Sequence, residues 1–354
     1  MHRCLQIPEI VHEVIHHIDT ADRHGPGTLF ALALTCRRFE EPALDRLWED
    51  PGPQTLRFII KCFPADALRT QFSASRSKVF VTIKRPITLA DWDRPLKYCT
   101  RVRRFHVESD TLTRFADVLY HLSIALPRPW LFPRLRFLRW SAVVSREMDL
   151  EFNLRVYTEE AVGRPQLRIG IQYMKILLSP SVERLELHLS DRFRSMISAL
   201  PVVVAQANPV THLSLVMGKL DTGEGAALSA VVRSLPANHL RALEIPFLDT
   251  AALRHVARLG GLTTLKLASF DKTFVRDVDR DVPFFPALQT FSVLDAHIPS
   301  LSKMLGSSLH KSHLRNISVG PTFNTTTEEI SALSDAFTLL DAGPLRTQQP
   351  YQLY

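Results

Sequence analysis

Cysteine pairs, glycine motifs and long apolar runs are what this chain of 354 residues lacks. Its four cysteines, Cys4, Cys36, Cys62 and Cys99, form no Cys-x-x-Cys pair. That excludes a disulfide framework or a cysteine-built structural zinc site, and predicts a reducing compartment, cytoplasmic and/or nuclear. Thirteen glycines supply no Gly-x-Gly-x-x-Gly, no phosphate loop and no Gly-x-Ser-x-Gly elbow, so dinucleotide, phosphate-cradle and serine-hydrolase chemistries have no foothold. The richest apolar stretch, Ala199 to Ala207, falls far short of the ~20 residues of a membrane span, and no membrane partner is expected. The opening MHRCLQIPE has no apolar core before its acid and proline. It is therefore expected not to act as a secretory signal, and the sequons at Asn316 and Asn324 are expected to carry no glycan.

What is present suits a folded protein: 45% apolar and 22% charged residues. The net charge of +7 is unevenly placed. Residues 1–50 hold 5 Lys+Arg against 9 Asp+Glu, residues 51–140 hold 17 against 6, and the remainder is balanced. The basic block could suggest nucleic acid. Yet Arg101, Arg103, Arg104, Arg134, Arg136 and Arg139 alternate with strand-forming residues and belong to no recognised nucleic-acid module, so the expected role is a solvated rim or a patch for an acidic protein.

His12-Glu13-Val14-Ile15-His16 has the letter pattern of a zinc-protease helix, in which two histidines one turn apart bind the metal and the glutamate activates its water. A helix is well supported. Ile7, Ile10, Val11, Val14, Ile15 and Ile18 recur at the spacing of one apolar face, Pro8 suits a first turn, and Glu9 and Glu13 precede His16 and His17 as the macrodipole prefers. The third ligand is what fails. A metzincin continuation needs a glycine and a histidine where the chain has Asp19 and Asp22, His24 comes two residues late, and Glu40 or Glu41 would have to serve from a distance. With the pattern starting at residue 12, no preceding sheet is expected to build a substrate cleft. The reading is a helix without metal, with no cofactor and no catalytic residue; a zinc hydrolase is the remote alternative.

The rest of the first 64 residues reads as short helices. Gly25-Pro26-Gly27 breaks the chain, Leu29, Leu32, Ala33 and Cys36 restart a helical face, Pro42 opens a piece through Trp48, and Leu56 to Cys62 stops at Pro64. These residues resemble a family. Leu5-x-Ile7-Pro8-Glu9-Ile10, then Ala33-Leu34-Thr35-Cys36-Arg37-Arg38-Phe39, Pro42-Ala43-Leu44 and Leu47-Trp48 look like an F-box. The run Asp91-Trp92-Asp93-Arg94 to Tyr98, followed by Val102-Arg103-Arg104-Phe105-His106-Val107, is similar to the F-box proteins expanded in mushroom-forming fungi.

From residue 102 a phrase repeats: apolar-x-x-apolar-x-apolar. It starts at Val102, Leu135, Val182, Val210, Leu240, Leu262, Leu288 and Leu314, at intervals of 33, 47, 28, 30, 22, 26 and 26 residues. Helical patterns fill the gaps at Phe115 to Leu126, Glu224 to Leu235, Thr250 to Leu259 and Pro299 to Leu309, and an insertion is expected around Glu147 to Gly163. Strand-then-helix units of this length are leucine-rich-repeat-like, although the usual asparagine after the strand is missing from nearly every phrase. An ordinary α/β domain of parallel strands is the alternative.

The expected fold class is α/β: an all-α F-box-like module over 1–64, a connecting segment over 65–100, a leucine-rich-repeat-like solenoid over 101–340 and a tail over 341–354. The resemblance implies a non-enzymatic substrate receptor whose F-box docks on the Skp adaptor of a cullin ubiquitin ligase through Leu5, Ile7, Pro8, Ile10, Val14, Leu32, Cys36, Phe39, Leu44, Leu47 and Trp48. The array would hold an unidentified protein target on the third and fifth positions of each phrase. These include Arg104, His106, Phe137, Arg139, Arg184, Glu186, His212, Glu244 and Lys266. A repeat scaffold with no ligase role is the alternative, and nucleic acid is not the expected partner.

Overall fold

The computed structural model describes residues 7–72, 79–142, 174–189, 197, 200–206, 210–218, 222–235, 239–270, 285–307, 314–321 and 331. The chain forms two compact units, Met1–Val182 and Glu183–Tyr354. Leu5, Cys4, the stretch 147–163 and the 341–354 tail lie outside the described residues.

The first unit opens with α1 (Pro8–His16), α2 (Gly25–Thr35) and α3 (Arg37–Glu49). They close on a core of Val11, Ile15, Leu29, Phe39 and Ala43, with Ile18, Leu32, Ala33, Cys36 and Leu47 packed against it. The apolar stripe of α1 is therefore split: Val11 and Ile15 are buried while Ile7, Ile10 and Val14 face out. α1 also ends two residues before Ile18. There Asp19 caps a turn by accepting from the Ala21 N–H at 2.8 Å, and a Cβ at Gly25 would sit 1.8 Å from the Asp19 carbonyl oxygen. Gly25-Pro26-Gly27 consequently begins α2 instead of merely separating helices, with the proline in its first turn. Pro42, expected to open a helix, lies inside α3, which starts five residues earlier from an extended Cys36. The missing amide of a proline costs such a helix one rung.

Residues 65–100, expected to connect, are themselves built structure. After α4 (Thr55–Ile60), β1 (Leu68–Phe72) pairs antiparallel with β2 (Val79–Ile83), and α5 (Asp93–Cys99) follows a short turn of 3-10 helix at Leu89–Trp92. Trp92 is fully buried, edge-on to Phe63 at 5.0 Å. Thr88 and Asp91 form a capping box for that turn, and the Arg85 guanidinium donates to both Asp91 carboxylate oxygens at 2.7 and 2.9 Å. β3 (Arg104–Glu108), α6 (Ser109–Ala125) and β4 (Phe137–Ala142) come next, β3 and β4 pairing in parallel.

In the second unit β5 (Arg184–Leu189), α7 (Leu200–Gln206), β6 (His212–Met217), α8 (Thr222–Ser234), β7 (Ala242–Ile245), α9 (Thr250–Ala257), β8 (Thr264–Phe270), β9 (Thr290–Ala296), α10 (Ile298–Ser307) and β10 (Asn316–Pro321) follow in order. The molecule is thus mixed α/β, with parallel strands β3 and β4 in the first unit and β5 to β10 in the second. Within each unit, neighbours along the chain are neighbours in the sheet.

All eight phrases are strands, and the apolar first, fourth and sixth positions of each are buried. A second regularity lies in the backbone. The carbonyl of the second phrase residue accepts from the second and third amides of the next phrase: Arg103 from Arg136 and Phe137 in the first unit. In the second unit the same pair of bonds joins Glu183 to Thr211 and His212, and recurs at Thr211, Arg241, Thr263 and Gln289. The Thr211 and Thr263 hydroxyls add a donor to the Glu183 and Arg241 carbonyls, each at 3.0 Å. Tight turns lead in, with Leu135, Val182, Leu262 and Leu288 amides bonded to carbonyls three residues back and Pro133, Pro180 and Pro286 at the position a type I turn favours for proline. Where β10 meets β9 the register shifts between Val319 and Pro321, and a Cβ at Gly320 would lie 2.2 Å from the Leu294 oxygen, so only glycine allows the approach. No helix among the described residues is long and apolar enough to cross a membrane.

Candidate protein-interaction surfaces

His12, Glu13 and His16 are all exposed on α1, and Glu13 bonds His17 at 3.0 Å, one turn further on. Among the described residues no group of three or more His, Cys, Asp or Glu could hold a metal ion.

The residues expected to meet an adaptor divide into two sets. Ile7, Pro8, Ile10 and Val14 stand exposed on α1, the three aliphatic ones at 45%, 37% and 50%. The others work mainly inside. Phe39 is buried in the helical core, and Leu32, Cys36 and Leu47 are half-buried against it, as Leu44 is half-buried on α3. Trp48 stacks on Tyr98 at 4.6 Å and meets Phe58 edge-on at 6.4 Å, so it fastens α3 to α5 and α4. Around it Arg101 pairs with both Glu41 and Asp45, and the Arg103 amide donates to the Glu49 carbonyl at 2.9 Å. Two residues missing from the expected set complete the exposed apolar surface: Phe30 at 56% and Leu34 at 72% on α2. Their signal was present, because GTLFALALT is apolar on every side while Leu29, Leu32, Ala33 and Cys36 account for one face only.

The strand face in the first unit is cationic and aromatic. Arg104 stands in register with Phe137 and His106 with Arg139. The Arg104 and Arg139 guanidinium carbons lie 5.7 and 5.6 Å from the Phe137 ring centroid, with the His106 ring edge-on at 5.3 Å. Asp50, at the end of α3, reaches Arg104 at 3.7 Å and His106 at 3.8 Å. At the entry to these strands burial, and then the charges of Arg134 and Arg136, hold the Arg103 pKa below its ordinary value.

In the second unit the outward positions are more occupied with one another. Glu186, expected to project into solvent, is buried at 5%, because the Arg184 Nε and Nη2 both donate to its Oε1, at 2.8 and 2.6 Å. His212 bonds the Thr211 hydroxyl at 2.8 Å, and burial, then the nearby Arg184 and Arg241, lower its pKa. Lys266 and Glu244, register partners on β8 and β7, are 3.9 Å apart. Arg104 and Arg139 gather on the Phe137 ring in the first unit, and Arg184 pairs with Glu186 in the second.

No family model matches the chain, and no curated protein matches it in sequence.

Proposed function

We propose that the protein is a substrate receptor of a Skp-cullin-F-box ubiquitin ligase, α1 to α3 docking on the Skp adaptor and the strand face holding a protein target. The observation that carries the reading is α2. It turns Leu29 to its own core yet leaves Phe30 and Leu34 exposed, and a helix apolar all round needs cover on both sides. Ile7, Ile10 and Val14 on α1 add to the apolar surface an adaptor would cover.

The repeat reading is supported by strands that follow one another in parallel, by the same three buried apolar positions in every phrase, and by the same paired hydrogen bonds from phrase to phrase. Units that share one such pattern bury their apolar faces by stacking on neighbours, as in a leucine-rich-repeat-like solenoid. The receptor does no bond chemistry; it acts by raising the effective concentration of target lysines beside a conjugating enzyme.

Coexpression with a Skp adaptor is expected to yield a stoichiometric complex on size-exclusion chromatography. Ile10→Glu combined with Leu34→Glu should remove it with the circular dichroism unchanged, since both side chains are exposed. An unsubstituted chain that never co-elutes with the adaptor overturns the ligase reading and favours a scaffold.

A further inference from the structure

Two guanidinium groups flank one phenyl ring on the outward face of β3 and β4, in the most basic segment of the chain. Arg104 and Arg139 are exposed and Phe137 is half-buried between them. We propose that this cluster is a docking site for an acidic protein segment, an extended stretch in which carboxylates flank an apolar side chain. This deepens the receptor reading above and rests on its assignment of the strand face to the target.

The chemistry argues for that partner. A guanidinium stacked on a ring uses its face, and it is the edge of the group that grips a carboxylate bidentately. Arginine and aromatic side chains together are the composition of interface hot spots. Alternate residues of an extended peptide lie about 6.6 Å apart on one side, so in a Glu-x-Leu-x-Glu pattern the leucine faces the ring while the acids on either side of it reach the arginines. Residues 51–140 carry 17 basic against 6 acidic side chains, so an acidic segment is also steered here over distance. Asp50 disfavours a polyphosphate: placed 3.7 Å from Arg104 and 3.8 Å from His106, it interrupts the cationic surface a continuous phosphate backbone would follow.

The test measures fluorescence anisotropy of the full chain with three fluorescein-labelled probes: a synthetic peptide repeating Glu-Ser-Leu-Ser, the same peptide with glutamine for glutamate, and a single-stranded oligodeoxynucleotide of matched charge. The glutamate peptide is expected to bind with strong salt dependence and the glutamine peptide not to bind. Arg104→Glu with Arg139→Glu, or the gentler Arg104→Gln with Arg139→Gln, should weaken binding by about tenfold or more, and Phe137→Ala by several-fold. Undiminished peptide binding in both double variants overturns the proposal. So does tighter binding of the oligonucleotide that the same variants abolish. Adaptor co-elution, measured on the same proteins, separates the two readings. A chain that takes the peptide but not the adaptor refutes the ligase assignment alone, and one that takes the adaptor but not the peptide refutes the acidic-segment site alone.

Discussion

Glycines 25 and 27 show how little sequence context reveals about what a single residue does. Both sit in the first turn of α2, yet a Cβ at Gly25 meets the Asp19 oxygen at 1.8 Å, whereas one at Gly27 meets nothing within 4 Å. Gly25→Ala should therefore destabilise the protein by roughly 1–3 kcal/mol, as overpacking does. Gly27→Ala should stabilise it by about 0.5–1 kcal/mol by restricting the unfolded chain and favouring helix. Chemical denaturation of the two variants checks the opposite signs. Asp91 supplies a second contrast that the sequence hid, since Arg85 lies six residues away in a segment expected only to connect. The Arg85 fork, and then the Thr88 amide, hold the Asp91 carboxyl well below the usual carboxylate range. A depressed folded pKa contributes stability that is present above the unfolded value of about 3.9 and is lost as pH falls below it. Asp91→Asn should lower Tm by on the order of a few °C at pH 7. The gap to the unsubstituted protein should close as the pH is taken from about 5 toward 2; a gap that stays constant with pH would show the ion pair to be irrelevant.

At the scale of the element, periodicity carried most of the information. The eight phrases were legible because apolar positions one, four and six cannot all face water in any strand, and every one is buried. Helix ends were less legible, since an Asx turn at Asp19 and an extended Cys36 decide where α1 stops and α3 starts, and neither leaves a periodic trace. Nor did the pattern show which apolar residues of α1 would stay outside, because Ile7, Ile10 and Val14 satisfy the same spacing as Val11 and Ile15. Nor did it show the backbone device that recurs from phrase to phrase, the second-position carbonyl with its two amide donors, reinforced at Thr263 by a hydroxyl 3.0 Å from the Arg241 oxygen. Thr263→Val keeps the shape and removes that donor. It should cost about 1 kcal/mol in equilibrium unfolding. The neighbouring Thr264→Val, at a half-exposed outward position, should change stability by less than about 0.5 kcal/mol.

At the scale of the molecule, the sequence predicts a helical module over residues 1–64, and the contacts bear on whether it can stand alone. Trp48 stacks on Tyr98, Phe63 meets the buried Trp92, Arg101 reaches back to Glu41 and Asp45, and the Glu49 carbonyl takes the Arg103 amide. All of these partners lie beyond residue 64 and within the first compact unit. A cut at Pro64 removes every one of them at once, bares Trp48 and Phe63, and leaves a chain near the size at which a single core is marginal. Residues 1–64 alone should accordingly show no cooperative thermal transition by circular dichroism. Residues 1–182, which keep each of these contacts, should show one. If the short fragment melts cooperatively near the temperature of the longer one, the helices are self-sufficient and Trp48 is available to a partner after all. If only the longer fragment folds, the adaptor docking proposed for α1 to α3 is tied to the strand face that follows them, because the same Asp50 that ends α3 also holds Arg104 and His106.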